Sequence, residues 1–372
     1  MKKDIIAWSL GLEPGKIITK ETLNHPGIIA WVSGLDVYAH TAQAYRTAYA
    51  ALGIDIINRV PLHNAPAPTG PGKSRHHHTR PYIYQPLGVF DTAYRHHFEC
   101  ASVDEAWKLD VERLQYDDLI TPVPHPCRGE DICQREAFIG DVGMYYPMLY
   151  TTLFMWGVEV FGWEIFMEAA FTESDRFHEH FLEPCAKKSI SIVEEMAVSS
   201  TAPFVFLHDD LASASGPVFP PSWYEEYIFP HYKEIFEPAK RSGKKIIFVA
   251  DGNISTFLPR LAALGVDGIM FESPATPLEP VMEHFGGSGK FFIGGIASVV
   301  LSRGTPRDVQ AMVHELAASV ETFPGFAMAS GGGLHGDIPL ENLIGYFDAR
   351  ADVGATPKEW KRLRSSARRG IP

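Results

Sequence analysis

The chain has 372 residues, 45% of them apolar, and a formal net charge of −12. It can therefore bury a large core, and it is a poor match for a nucleic-acid backbone. Four cysteines in this length make no disulfide scaffold, and without an opening signal peptide or an apolar run of about 18 residues, a soluble, cytoplasmic protein is expected and a membrane is not.

Residues 1–40 read as an N-terminal extension with scattered apolar positions, packed across one end of the main domain. Residues 43–52 have helical periodicity and end at Gly53. Ile54, Ile56 and Ile57 then mark a buried strand, the first of a parallel set. Residues 61–80 are rich in Pro, Gly and His and read as a long loop, able to act as a lid or insertion. Three consecutive histidines, His76 to His78, cannot all face one ion in a rigid site, so the loop reading is preferred there. The alternation in 82–98 predicts a hairpin outside the main domain, and 104–114 a helix. His125, Cys127 and Cys133 have a zinc-like spacing but fall short of four ligands. Residues 140–170 are aromatic-rich. Their stripe either lines a pocket, with Tyr146 as a substrate contact, or packs as a core helix pair, and packing is the commoner fate. Residues 174–196 form an amphipathic helix that Pro184 bends.

From residue 203 onward, strands and helices alternate regularly. The apolar runs 205–207 and 245–249 end in His208–Asp209–Asp210 and in Asp251–Gly252–Asn253. Between them lies one long helical pattern, with Ser222 and Glu225 spaced as a capping box, a kink at Pro230 and a stop at Gly243. A helix over 255–263, a strand over 268–271 ending at Glu272, a strand over 290–296, a helix over 306–320 capped by Thr305, a strand over 325–329 and a closing helix over 340–352 follow. Repeated β-α units without a dinucleotide-binding glycine fingerprint predict an α/β fold, a (β/α)8 TIM barrel. The barrel spans 41–352 with an insertion at about 61–135, and the basic tail 353–372 reads as a solvated helix.

In such folds ligands bind at the carboxyl ends of the strands. There the sequence places His208, Asp209, Asp210, Asp251, Asn253, Glu272 and, on the loop after the last strand, His335 with Asp337. Taken singly, each acid is as readily a loop brace. As a set at consecutive strand ends, they can bind a divalent metal or supply general acid and base groups.

The stretches HDDLASASGPVFPPSWYEEYIFPHYKEIFEPAK (208–240), ADGNI (250–254), LAALGVDGI (261–269) and PLENL (339–343) resemble the uroporphyrinogen decarboxylase superfamily, and within it the corrinoid-linked methyltransferases. The resemblance covers roughly residues 40–60 and 140–350. It implies methyl transfer between a small donor, such as a methoxylated aromatic, and a corrinoid carried by a partner protein. In those relatives zinc sits on a His-x-Cys pair after one strand and a cysteine on a late loop. This chain has Val249 and Asp251 at the pair and His335, with no cysteine, on the loop. The expected metal site is therefore harder, with Asp251, Glu272 and His335 holding zinc or another divalent ion. Residues 1–40 contain no arginine, so the carboxylate grip of the porphyrin decarboxylases has no counterpart, and uroporphyrinogen decarboxylation is not expected.

The reading is thus an enzyme with His208, Asp209, Asp251 and His335 as catalytic residues, and Asp210, Asn253, Glu272 and Tyr146 as substrate contacts. Its expected partners are a small-molecule substrate, a corrinoid protein and, in a homodimer, a second copy of the chain. A corrinoid-independent lyase or hydrolase of the same fold, or a non-catalytic binding barrel, are the alternatives.

Overall fold

The computed structural model describes residues 17–64, 73–77, 80–84, 100, 102–114, 129–287, 289–357 and 359–367. Seven parallel strands form its central sheet. In chain order the strands that matter are β1 (Ile18–Thr19), β2 (Ile56–Ile57), β3 (Met144–Tyr145), β4 (Met148–Leu149), β5 (Phe204–His208), β6 (Lys245–Ala250), β7 (Gly268–Phe271), β8 (Phe291–Ile296) and β9 (Phe326–Ser330). The sheet runs β1-β9-β8-β7-β6-β5-β4. Pairing of Ile18 with Ala327 sets the first strand beside the last, so the sheet curls back on itself.

The arc between its edges, β1 and β4, is crossed by the short parallel pair β2–β3. Lys20 bridges Ile56 on one side, and β3 runs on through Tyr146 and Pro147 into β4 on the other. This is a TIM-barrel-like α/β fold. The expected closed (β/α)8 barrel is met in architecture only, because the continuous ladder covers seven strands and two-residue strands span the rest.

The residues expected to form an extension contribute β1 itself, and Leu23–Asn24 pairs with Leu334–His335. Two-residue strands carry no period-2 signal, which is why they did not read as strands.

The two faces of the sheet hold two separate apolar clusters. Inside the curl lie Ile18, Ile56, Met144, Phe206, Val249 and Ile293. Outside, Val205, Leu207 and Phe248 pack against the helices. Alternation along each strand is the cause, since successive side chains point to opposite faces. The aromatic stripe is core: Phe154, Trp156 and Phe166, on the helix Phe154–Thr172, are fully buried among helices. No helix among the described residues is long and apolar enough to cross a membrane.

Helix boundaries differ from expectation in three places. The long helix is two, Pro221–Tyr227 and Phe229–Arg241, broken at Ile228. Its cap is Pro220 without a side-chain hydrogen bond, so Ser222 and Glu225 make no capping box; Pro221 presets the first helical φ instead. The 174–196 helix contains a π-helical turn, His178–Leu182, before Glu183–Ser199. In contrast, Thr305 and Asp308 form the full capping box at Pro306–Ser319. A hairpin is present, but it pairs Lys73–His77 with Arg80–Tyr84. Cys133 is exposed on the helix Gly129–Ile139, while His125 and Cys127 lie outside the described residues.

Candidate active site at the mouth of the sheet

Counting two residues on from the last inward apolar side chain of each strand predicts what faces the mouth. Ile18 leads to Lys20, Phe206 to His208, Val249 to Asp251 and Met270 to Glu272. Four inner positions thus change from apolar to ionisable at the same end of the sheet.

His208 is buried and held from both sides. Its Nδ1 donates to the Tyr150 carbonyl at 2.6 Å, and its Nε2 lies 3.0 Å from Asp210 Oδ1. The Tyr150 ring stacks on the imidazole at 4.5 Å. Burial alone would depress the imidazolium, but the charge and hydrogen bond of Asp210, then Asp251 and the Tyr150 carbonyl, raise its pKa to about 10. Burial opposes ionisation of Asp210 too, yet His208 outweighs it and holds the carboxyl below its usual range. The same oxygen of Asp210 accepts from the Asp251 amide at 2.8 Å.

Asp251 is open to solvent at the rim. Protein atoms crowd its carboxyl and displace water. That crowding, with the negative charges of Asp210 and Glu272, raises its pKa to about 7 against the pull of His208 and Lys20. Gly252, at φ +75°, follows at once; a Cβ there would collide with the Ala212 carbonyl. Its amide donates to Glu272 Oε2 at 3.1 Å, which ties Glu272 to the same turn.

One ligand atom each from His208, Asp210 and Asp251 lies within 4.8 Å of the others. One nitrogen and carboxylate oxygens suit a divalent cation such as zinc. The Nδ1–H bond to the Tyr150 carbonyl is the outer bond a metal-ligating histidine makes, since it turns Nε2 toward the carboxylates. The residues present therefore fit such an ion.

Lys20 was missed in the sequence because it fell in the supposed extension. It is 4% exposed. Its Nζ donates to Thr22 Oγ1 at 3.1 Å, and that hydroxyl donates to Asn58 Oδ1 at 3.2 Å. Burial pushes its ammonium down to about 8, against the pull of Glu21 and Asp251. A strand of two residues gives no local signal for it; the pairing of Ile18 with Ala327 is what turns the position two residues on toward the mouth.

Other expected residues stand elsewhere. Asp209 faces the helices, fully buried; it accepts from the amides of Leu153, Phe154 and Met155 and from the Tyr232 hydroxyl, each at 2.7 Å. It anchors the start of the helix Phe154–Thr172 and does not reach the mouth. Asn253 Oδ1 accepts from Ser255 N and Oγ and braces the next turn. His335 is half-buried beside Asp337, with Nδ1 3.8 Å from Oδ2, and is not one of the three residues that converge within 4.8 Å. Tyr146 lies inside the curl, stacked on Phe206 at 3.7 Å. Its buried hydroxyl has no hydrogen-bond partner among the described residues, and burial raises its pKa well above the usual value.

Comparison with known proteins adds a family. The model of the family described as uroporphyrinogen decarboxylase (URO-D) matches residues 147–353, more than half of the chain. No curated protein matches. Among solved structures, xylanase B from Clostridium stercorarium F9 is similar, with a TM-score of 0.35 and 14% identity over 55% of this chain and 71% of that one.

Proposed function

This chain belongs to the uroporphyrinogen decarboxylase family, and on that premise we propose that it is a methyltransferase. It would move a methyl group between a small donor, such as a methoxylated aromatic, and the corrinoid of a partner protein. The observation that carries this reading is the convergence of His208, Asp210 and Asp251 within 4.8 Å at the mouth. His208 Nε2 and the two carboxylates would hold a divalent cation, with Glu272 beside them. Such an ion supplies Lewis acidity toward the leaving oxygen of an ether.

The chain's own residues do the rest. Tyr150 keeps Nε2 of His208 aimed at the carboxylates. Asp251 would give the ion its carboxylate; only in the ion-free chain does its pKa, raised to about 7, leave it holding a proton near neutral pH. Tyr146, whose hydroxyl has no partner among the described residues, would offer a substrate contact inside the curl. Asp251 is exposed, and a corrinoid partner would bring its cobalt to the methyl group from that side.

A second reading has one observation in its favour. Asp251 and Lys20 are both shifted toward neutrality in one mouth, the pattern of an acid–base pair working without an ion. A corrinoid-independent lyase would use them directly.

Elemental analysis of untagged wild type and Asp251→Ala separates the two. One equivalent of zinc or another divalent metal that vanishes in the variant supports the first reading and selects methyl donors with reduced corrinoid for assay. Wild type purified without chelators and carrying no metal at the mouth sinks it in favour of the lyase.

A further inference from the structure

Away from the mouth, two helices bring a pair of histidines together. His178 opens the π-helical turn His178–Leu182, and His231 lies in the first turn of Phe229–Arg241. Their Nε2 atoms are 2.8 Å apart, with ring centroids at 5.0 Å and 33° between the planes. The His178 side chain is 24% exposed and His231 is half-buried, so an ion in solution can reach them. Extra-residue turns of this type recur at functional sites.

We propose that His178 and His231 form a second metal site, for zinc or a similar borderline divalent cation, with the Glu234 carboxylate and water as the remaining ligands. Imidazole suits such ions. In a tetrahedral site with bonds of about 2.0–2.1 Å, two ligating nitrogens stand roughly 3.3 Å apart. The pair needs to open by only about half an ångström to admit an ion.

The surroundings favour the ligating form. Glu183 Oε1 lies 4.0 Å from His178 Nδ1, the nitrogen remote from the pair. A carboxylate there favours a proton on Nδ1 and leaves the lone pair on Nε2. Burial and then the facing His178 disfavour a charge on His231. Glu234, three residues along the helix, and Glu183 bring the negative charge that a dication requires. Tyr227 flanks the His178 ring at 5.6 Å.

The site is separable from the mouth by mutation. Metal-free, full-length Asp251→Ala would be titrated with Zn²⁺ by calorimetry and Co²⁺ by absorption, beside Asp251→Ala/His178→Ala and Asp251→Ala/His231→Gln. All three proteins keep every other histidine and cysteine. We expect Asp251→Ala to bind one more equivalent than either double variant, and Zn²⁺ to raise its unfolding temperature where it does not raise theirs. An Asp251→Ala/Glu183→Gln protein should bind about tenfold more weakly. Equal stoichiometry in Asp251→Ala and both double variants would overturn the proposal and leave a simple hydrogen bond between two imidazoles. Circular dichroism of each variant, with His178→Asn as the milder replacement, separates lost ligation from lost folding. A failure of the mouth site leaves this one standing, since Asp251 is absent throughout.

Discussion

Asp209 and Asp210 are adjacent in the chain and lie on opposite faces of the sheet. Asp209 accepts four hydrogen bonds at 2.7 Å and has no exposure. Asp210 meets His208 and the Asp251 amide at the mouth, where its side chain keeps 23% exposure. One residue of register decides whether a carboxylate holds the fold together or stays available for chemistry. The electrostatics follow the same division. Burial pushes Asp209 up to about 6 although four donors pull it down, while the His208 imidazolium keeps Asp210 below its usual range.

The largest stability effect is expected on the helix-facing side. Asp209→Ala leaves three amides and a phenol without their acceptor. Each buried donor left unsatisfied costs about 1–3 kcal/mol, so urea unfolding should show a loss of about 4 kcal/mol or more. Asp209→Asn, which keeps one acceptor oxygen, should fall between. A loss under about 1 kcal/mol for the alanine would break the comparison, because Asp209 would then not be an anchor. Tyr232→Phe removes one of the four bonds, a bond to a charged acceptor worth about 1.5–3 kcal/mol. The same unfolding experiment checks it, and metal content at the mouth should not change.

The sheet's second half was legible because its strands are four to six residues long and apolar, and end in turn chemistry. Reading His208, Asp251 and Glu272 as rim residues required only that the chain stop being apolar where a strand stops. The inward or outward choice was also within reach. Counting back from Asp209 gives Leu207 and Val205, which face the helices, and from His208 it gives Phe206 and Phe204, which face the inside. The first half was legible only in part: the isoleucines marked the strand at Ile56–Ile57, whereas Ile18–Thr19 and Met144–Tyr145, two residues each, did not read as strands, and Lys20 was lost with the first of them. His178 and His231 are 53 positions apart on two different helices; no local pattern links them, and only helix packing brings their rings together.

The smallest stability effect, and the sharpest test of the mouth, concerns Asp251. Its pKa rises from the ordinary 3.8 to about 7 in the folded chain. Between about pH 4 and pH 7 the folded chain therefore holds a proton that the unfolded chain has released. Stability from this group is fully present below pH 4 and is lost as the pH rises through 7. Asp251→Asn lacks that proton, so its stability relative to wild type should climb from pH 4 to pH 7 and then level off. Asp209 shifts in the same direction, but it is present in both proteins and cancels in the difference. Asp251 is open to solvent, so screening should keep the climb under about 1 kcal/mol. Asp210, with its lowered pKa, should behave oppositely, its contribution being lost as the pH falls. Parallel stability curves for wild type and Asp251→Asn across this range would mean that the carboxyl ionises normally. Asp251 would then lose its role as a proton donor in the ion-free reading, where removing a general acid is expected to cost about 10²- to 10⁴-fold in activity.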